Sequence, residues 1–502
     1  MFRVKRLALD TLREHVIIVH ERAVREGHLG FNPLDRAYVF GRDRATGKTR
    51  EVVGVLNFCG GDALVSADEI GLSTEAFHDL GLPEGAEVNA TMAAPPRSVD
   101  LVRAKLAGKR LGREAFDAIL GDVVKRRYSR VELAMFVLAC AMGRLDTDEL
   151  ADYTHAMIAT GLSLDFGAGP VADKHCIGGI PGNRTTMIVV PILASLGVTI
   201  PKTSSRAITS PSGTADTMAV LAEVALERER IREVVRRAGG CIAWGGALEL
   251  APADDILITV ERPMEIDTEA QMVASILAKK KTVGATHVLI DIPVGPTAKV
   301  RTITAAERLA AVFREVAQRI ELRVETAITE ARGPIGRGIG PRLEAMDVLA
   351  VLRRADDAPL DLREKSLYLA ARILEMTGVA GQNSGYRAAQ KAIDSGAALD
   401  SFERIVDAQG RREMPPPASQ VRAIKSARDG RVRSVDCWEI ARVAKRAGAP
   451  ANPSAGVRML VAPGAVLREG DAIFEVHAES AAQLDFACQY AAVHPTIVEF
   501  GF

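Results

Sequence analysis

The spacing of apolar and polar residues changes several times along the chain, and each change marks a different kind of module. Residues 1–92 alternate short apolar runs with turns containing Gly or Asn-Pro, a pattern typical of short strands. From residue 99 the apolar positions recur at spacings of three and four, which predicts helices, with Ser129 and Thr147 as N-caps. We therefore predict an N-terminal β-rich accessory module at 1–92 and a helical domain at 97–165, with part of 203–240 packing on the helices.

Farther along the chain, short β-branched runs alternate with longer amphipathic stretches. Residues 286–294 are an example of the first and residues 305–319 of the second. This alternation predicts a large α/β domain at 166–413. The tripled proline at 415–417 marks a linker into a C-terminal α+β module at 418–502. The predicted fold class is thus multidomain α/β, with a helical domain, a large α/β domain and two smaller terminal modules.

One run is ambiguous between helix and strand. Residues 186–196 contain Met-Ile-Val-Val, which suits a strand, and Pro191 would kink a helix. The run exceeds the usual length of a strand, and Gly197 is a natural helix end. We predict a helix.

Composition and charge narrow the classes of function. The 502 residues hold 64 basic and 64 acidic side chains, so no overall charge favours a nucleic acid polymer or an anionic membrane as partner. Six cysteines without CxxC spacing argue for reduced thiols and against a zinc site. The N-terminus is interrupted by charge every few residues, unlike a signal peptide or a membrane span. These features predict a cytoplasmic protein that contacts no membrane.

Two segments have the composition of anion-binding loops. Residues 173–183 place Lys174 and three glycines before the apolar run, and glycine allows a backbone to approach a ligand closely. Residues 202–214 set several hydroxyl groups beside Lys202 and Arg206. This composition suits a phosphate or a phosphorylated sugar. The alternative for Lys174 is an ordinary solvated surface cation.

These segments also carry a resemblance to a known family. The letters DKHxxGG at 173–179, PKTSSRAITSPSGTAD at 201–216, and a third block spread over 260–299 occur in the same order as in nucleoside phosphorylases. The chain resembles the family that contains thymidine phosphorylase, and more closely its AMP phosphorylase branch. The resemblance implies a helical domain facing an α/β domain across an active-site cleft. It also implies phosphorolysis of nucleoside 5′-monophosphates to free base and ribose 1,5-bisphosphate, in nucleotide salvage or catabolism.

The resemblance assigns roles to individual residues. It makes Asp267 the general acid that protonates the leaving base, and it places Lys279 beside the base. It implies a phosphate site formed by Lys174, Cys176, Thr186, Ser204 and Thr214. It implies nucleotide contacts from Gly179, Ser205, Arg206, Ala207, Ile208, Thr209, Ser210, Thr214, Ser275 and Lys299.

Several of these positions have other interpretations or depart from the family pattern. Asp267 could be an N-cap, Arg206 could form an intramolecular salt bridge, and the role of His175 is open. Cys176 stands where the family usually has serine, and a thiol is the weaker donor; a reactive cysteine is the less favoured interpretation. Val260 stands where pyrimidine enzymes have an arginine, a departure that fits the monophosphate branch.

The resemblance also implies partners, and it leaves rival functions. We expect inorganic phosphate as co-substrate, no metal or organic cofactor, and a homodimer or larger homo-oligomer. The nearest rival is a thymidine or pyrimidine nucleoside phosphorylase that yields (deoxy)ribose 1-phosphate. An enzyme like anthranilate phosphoribosyltransferase is disfavoured, because an acidic motif for magnesium diphosphate is not evident. A catalytically silent nucleotide-binding protein is a further rival.

Overall fold

The computed structural model describes residues 1–11, 14–26, 30–143, 145–207, 210–248, 250–266 and 268–501. The chain divides into two compact units, Met1–Thr160 with Pro252–Gln271 and Gly161–Ala251 with Met272–Phe502. A helix with the length and apolar character needed to span a bilayer does not occur in the described ranges.

The N-terminal part of the first unit is a closed six-stranded β-barrel with strand order β1-β5-β2-β4-β3-β6. Alternate residues point inward, as Ala37 and Val39 do on the third strand, so apolar side chains fill the barrel. Two short helices accompany the strands. The elements are β1 (Phe2–Arg6), β2 (Val16–His20), α1 (Glu21–Glu26), β3 (Arg36–Arg42), β4 (Thr49–Cys59), β5 (Glu69–Leu72), α2 (Thr74–Leu80) and β6 (Glu87–Met92).

Four helices follow the barrel in the same unit, namely α3 (Ser98–Leu106), α4 (Arg113–Val124), α5 (Arg130–Met142) and α6 (Thr147–Thr160). Ser129 caps α5 in a reciprocal capping box with Glu132, as predicted. The prediction for Thr147 was wrong, because the side chain of Asp146 accepts the N–H of Glu149 at 2.8 Å instead.

The later segment that joins these helices also differs from the expectation. Residues 203–240 belong to the second unit, and the segment grouped with the helices is Pro252–Gln271. A helix at Pro252–Met264 makes its contacts with α4, α5 and α6. The amphipathic pattern of 203–240 does not by itself reveal which surface it covers.

The second unit contains parallel strands alternating with helices. The run at 186–196 is helical, as predicted, and Pro191 lies inside the buried helix. In chain order, the elements of this part of the chain are β7 (Ala172–Cys176), α7 (Thr185–Ser195), β8 (Ile200–Ser204), α8 (Thr214–Ala219), α9 (Arg228–Ala238), β9 (Gly240–Trp244), α10 (Pro252–Met264), α11 (Glu269–Thr282), β10 (His287–Val294), α12 (Ile303–Arg319), β11 (Arg323–Glu330), β12 (Gly338–Ile339), α13 (Pro341–Arg353), α14 (Leu360–Met376), α15 (Gly385–Asp394) and α16 (Ala397–Gln409). Of these, α10 belongs to the first unit and α11 spans the boundary between the units.

The parallel strands form one continuous arrangement. Strands β11, β10 and β7 pair in that order, and β8 pairs with β9. A parallel bridge between Val171 and Thr199 links the two sets just before β7 and β8. The carboxyl ends of these strands therefore share one edge, which is where α/β folds bind ligands.

The C-terminal module is built into the second unit through a sheet. Its elements are β13 (Gln420–Lys425), β14 (Gly430–Val435), α17 (Cys437–Arg446), β15 (Gly456–Met459), β16 (Val466–Leu467), β17 (Ala472–Ala478), α18 (Ala481–Val493) and β18 (Val498–Gly501). The short strand β12, which precedes the module by some 80 residues of chain, pairs with β15. Its Ile339 is fully buried in the module's apolar core.

Glycine at 295, directly after β10, is required by packing. A Cβ at this position would lie 1.7 Å from the carbonyl oxygen of Ala331.

We expect Gly295→Ala to lower the free energy of unfolding by about 1–3 kcal/mol or more, as overpacking does. Gly121→Ala in α4 is the matched control, since its Cβ has open space. That change removes a helical glycine and should stabilise by about 0.5–1 kcal/mol. Calorimetry should show the two midpoints moving in opposite directions, and equal shifts would contradict the close approach.

Candidate active site

Lys174 is a buried lysine in the middle of β7, with 1 % of its surface exposed. Its Nζ donates to Oγ1 of Thr185, the first residue of α7, at 2.8 Å. Burial lowers the pKa of Lys174, although Asp291, whose Oδ2 lies 3.9 Å from Nζ, opposes that shift. Lys174 is therefore not the solvated cation of the alternative interpretation, and it is held at the N-terminal end of a helix.

Asp291 is the carboxylate that holds this lysine. It is fully buried in β10, Lys365 Nζ lies 3.0 Å from its Oδ2, and Thr329 donates to its Oδ1 at 2.7 Å. Burial by itself raises the pKa of Asp291, but Lys365 and Lys174 outweigh it and the pKa lies below its usual value. The carboxylate remains ionised at neutral pH.

A second buried carboxylate, Asp173, lies beside Lys174 in sequence. Its Oδ1 is 3.4 Å from Lys202 Nζ on β8, and its Oδ2 is 2.8 Å from Lys280 Nζ on α11. Burial lowers the pKa of Lys202 to about 7, with Asp173 opposing this shift and Lys280 adding to it. Burial and the same lysines hold the pKa of His175 well below its ordinary value. His175 is thus neutral at physiological pH, so it does not act as a fixed positive charge.

Together these groups form what we call the buried lysine cluster, consisting of Asp173, Lys174, Lys202, Lys280, Asp291 and Lys365. It contains four amines and two carboxylates, and burial disfavours unpaired charge. Even with Lys202 only partly protonated, the cluster has more cations than anions. An anionic ligand would restore the balance.

The glycine-rich loop between β7 and α7 turns back toward another loop of the same edge. Gly179 has φ +89°, and a Cβ there would lie 2.6 Å from the backbone nitrogen of Lys299. The structure therefore brings together these two residues, both of them predicted nucleotide contacts. Any larger residue at 179 would force the two backbones apart.

Cys176 ends β7 within this loop region. Its sulfur accepts from Nδ2 of Asn183 at 3.3 Å. Burial and Asp291 raise the pKa of the Cys176 thiol, with Lys174 opposing. The thiol is protonated at neutral pH, which counts against a thiolate nucleophile.

Arg184 links the two predicted anion-binding loops, although no motif in the sequence singled it out. Its Nη1 donates to Oγ1 of Thr214 at 3.0 Å and its Nη2 donates to the carbonyl of Ser212 at 2.8 Å. Its Nε pairs with the fully buried Glu344, which also accepts from Thr217 at 2.7 Å. The start of α8 is thereby fixed beside α7.

Arg206 lies in the loop after β8. Its Nη1 is 3.5 Å from Oδ1 of Asp216, and its guanidinium carbon is 5.1 Å from the ring centroid of Trp244. The intramolecular salt bridge of the alternative interpretation is therefore present. The side chain is still 48 % exposed, so solvent reaches it despite these two contacts.

The remaining predicted residues vary in burial. Thr186 is buried at the start of α7, Ser204 ends β8 half-buried, and Ala207 is half-buried. Ser205 and Ser210 are exposed in the loop. Predicted residues that lie outside the described ranges are Asp267, Ile208 and Thr209.

Helix α11 carries two of the predicted contact residues and a run of three lysines. Ser275 and Lys279 are half-buried and four residues apart, hence on one face. Lys280 is 3 % exposed and its Nζ lies 2.8 Å from Oδ2 of Asp173, and Lys281 donates to the carbonyl of Glu321 at 2.8 Å. Thr268 accepts the N–H of Gln271 at 3.2 Å, so it serves as the N-cap that Asp267 was considered for.

Metal-ligand clusters of three or more His, Cys, Asp or Glu are absent from the described part of the chain. All six cysteines are free thiols. The independence from a metal or organic cofactor stays a prediction.

We expect Asp291→Asn to destabilise the protein by about 3–5 kcal/mol, because it leaves Lys174 and Lys365 in a buried site without their carboxylate. The pKa of Asp291 is depressed in the folded state, so its stabilising contribution is present above the unfolded pKa. It is lost as pH falls through the folded value. Denaturation between pH 7 and pH 3 should therefore show a shallower loss of stability in the variant. The exposed Asp357→Asn serves as control, and equal behaviour of both variants would contradict this role.

Comparisons with known proteins agree with this architecture. Residues 168–399 match the α/β domain model of a glycosyl transferase family, and residues 99–161 match the helical bundle domain model of the same family. Anthranilate phosphoribosyltransferase from Thermus thermophilus is similar in structure, with a TM-score of 0.53 and 19 % identity over 62 % of this chain and 99 % of that one. That likeness shows the fold alone.

Curated relatives extend the match to nearly the whole chain. A protein of Polaromonas sp. (strain JS666 / ATCC BAA-500) with the name "Putative thymidine phosphorylase" is 48 % identical over 98 % of this chain and 94 % of the relative. One of the same name from Methylococcus capsulatus (strain ATCC 33009 / NCIMB 11132 / Bath) is 46 % identical over 97 % and 94 %. With this similarity along almost its full length, the chain belongs to the thymidine and pyrimidine nucleoside phosphorylase family and is a pentosyltransferase of the phosphorylase type.

Proposed function

We propose that the protein catalyses phosphorolysis of nucleoside 5′-monophosphates, such as AMP, to free base and ribose 1,5-bisphosphate. Phosphorolysis as such is the reaction of its family. The proposal of a monophosphate substrate depends on one observation, the partly accessible guanidinium of Arg206 in the loop between β8 and α8.

The buried lysine cluster supplies the chemistry for inorganic phosphate. Attack of phosphate at C1′ passes through a sugar with positive charge, so the enzyme must hold an anion against that carbon. Lys174 and the N-terminal end of α7 offer an ammonium group and backbone N–H groups in one place. The excess of cations in the cluster makes binding of an anion favourable. Cys176, Thr186, Ser204 and Thr214 complete the proposed site.

The leaving base needs a proton or an equivalent stabilisation. We assign this to Asp267 as general acid, in keeping with the family resemblance. Thr268 fills the N-cap position of α11 by accepting the N–H of Gln271. Ser275 and Lys279, on one face of α11, are the proposed contacts on the nucleotide and base sides.

Arg206 is the proposed ligand of the substrate 5′-phosphate. Asp216 holds the loop by accepting the N–H groups of Ala207 at 2.6 Å and Gly213 at 3.0 Å. Trp244 packs against the guanidinium and restricts its orientation. Arginine binds phosphate oxygens through several N–H groups at once, so a second acceptor on the open side is compatible with the Asp216 pair.

A second candidate is phosphorolysis of thymidine or another pyrimidine nucleoside. The names of the curated relatives favour it. Against it, Val260 stands where the resemblance implies an arginine for the pyrimidine carbonyl, and Val260 is buried and apolar. The two candidates differ in whether the 5′-phosphate contributes to catalysis.

Further features of the proposal concern partners and location. We propose that the substrates are a nucleoside monophosphate and phosphate, with no metal or organic cofactor, so chelators should leave activity unchanged. A cytoplasmic location would suit six reduced thiols. A homodimer or larger homo-oligomer is the proposed assembly.

The test is a panel of purine and pyrimidine nucleosides and their 5′-monophosphates, assayed for base release with and without phosphate. The proposal requires that base release depend on phosphate. It also requires that a monophosphate have the highest kcat/KM of all substrates in the panel. Preference for thymidine or uridine over every monophosphate would support the second candidate instead.

We expect Arg206→Ala to lower the ratio of kcat/KM for a monophosphate to that for its parent nucleoside. The loss should be about 1.5–3 kcal/mol, roughly 10- to 150-fold, the usual contribution of a hydrogen bond to a charged group. Arg237→Ala is the matched control, because Arg237 also lies 3.5 Å from a carboxylate, that of Glu233, on the surface. If both variants keep the wild-type ratio, Arg206 serves only the Asp216 pair.

We expect Asp267→Asn to reduce turnover by about two to four orders of magnitude with little change in substrate binding, as loss of a general acid does. Glu265→Gln removes an exposed carboxylate two residues away and should leave turnover intact. Near-normal turnover by Asp267→Asn would remove this residue from the mechanism.

A further inference from the structure

A cavity of about 50 Å³ lies in the first unit, among residues of the barrel and of the helices. Arg36 from the start of β3, Arg126 from the α4–α5 connection, Arg130 from the start of α5, and Thr259 from α10 contribute to its wall. This volume suits one or two water molecules or a single small polyatomic ion. A nucleoside is too large for it.

Arg36 has unused hydrogen-bonding capacity in this wall. Its Nη2 donates to the carbonyl oxygen of Arg126. Its Nε and Nη1 are buried and have no hydrogen-bond partner among the described residues. Burial lowers the pKa of Arg36, against the opposing effect of Glu132 and Glu14. A buried guanidinium with two unpaired nitrogens is costly for the fold.

The nearby carboxylates have other partners. Glu14 pairs with Arg130 at 3.0 Å. Glu132 accepts the backbone N–H of Ser129 at 2.7 Å in the capping box of α5. Cationic side chains therefore outnumber carboxylates in the wall, where Glu14 is the one acid among three arginines.

We propose that this cavity is a binding site for a compact oxyanion of the phosphate or sulfate class, with Arg36 as its principal ligand. The anion supplies a counter-charge for the Arg36 guanidinium, and an arginine–oxyanion pair is the charge-assisted interaction that this group favours. Ser129 accepts from Glu132 N–H and retains a hydroxyl hydrogen that can donate to the anion.

An occupant would contact the barrel and the helices of the first unit at once. Arg36 belongs to the barrel, whereas Ser129 and Thr259 belong to helix α5 and helix α10 or their caps. A ligand that binds the folded form stabilises it by mass action. Free phosphate, the co-substrate class of the family, would thereby stabilise the first unit as well.

The experiment must separate this site from the phosphate site of the second unit. We would use full-length protein with Lys174→Gln, which weakens the proposed catalytic phosphate site, and measure its melting temperature in phosphate, in sulfate, and in chloride of equal ionic strength. Phosphate and sulfate should raise the melting temperature by about 2–4 °C over chloride. Adding Arg36→Met should abolish the rise. Adding Arg44→Met, at an arginine 89 % exposed on the barrel, should not.

A second readout distinguishes a ligand-binding arginine from a structural one. In chloride, Arg36→Met should leave the melting temperature unchanged or higher, because it removes a buried cation with two unpaired nitrogens, which outweighs the loss of its bond to the Arg126 carbonyl. The proposal would be overturned if Arg36→Met lowered the melting temperature equally in chloride and in phosphate. It would also be overturned if Lys174→Gln alone abolished the rise in melting temperature caused by phosphate and sulfate. If Arg36→Met does not fold, Arg36→Lys should need at least about tenfold more phosphate for the half-maximal shift, and an unchanged midpoint would overturn the proposal.

Discussion

The ion pair network around Asp291 is the constraint on which the α/β unit depends. Asp291 lies in β10, the strand between β7 and β11, and its lysine partners come from β7 and from α14. Two ammonium groups can be buried here because one carboxylate remains ionised between them. The network holds Lys174 against the first turn of α7 at the carboxyl edge of the sheet. The same charges therefore position the loop after β7 and stabilise the sheet.

The helices of the first unit and the sheet of the second unit use buried charge differently. In the helical part of the first unit, Lys105 and Glu149 form a matched pair at 2.7 Å, and Glu149 also accepts the N–H of Leu111. The buried lysine cluster of the second unit has cations in excess of carboxylates. A matched pair has no net charge and needs no ligand. Buried cations in excess leave a net positive charge that a bound anion would neutralise. This imbalance is the observation that favours an anion site at the buried lysine cluster.

Close backbone contacts set the geometry of the loops around that cluster. Gly182 has φ +72°, and a Cβ there would lie 2.4 Å from the carbonyl oxygen of Ile335, shortly before β12. Strand β12 in turn pairs with β15 of the C-terminal module. The loop after β7 is thus packed against a segment that the C-terminal module anchors, which gives this module a structural role in the second unit. The loop after β7 and the packing of the C-terminal module therefore share one chain of contacts.

The sequence by itself determined the alternation of strands and helices and the helix at α7, and it predicted two anion-binding segments, because each depends on local spacing and local composition. It also suggested the family, which the comparisons confirmed. It did not identify Lys280, Lys365, Arg184 or Glu344 as parts of the site, since their partners lie far away in sequence and a lysine in an amphipathic helix is usually solvated. Asp291 offered a partial signal as the one charge in the apolar run 288–294. Only tertiary structure decided which charges pair, because pairing depends on the parallel strand order and on burial, neither of which is encoded in local periodicity.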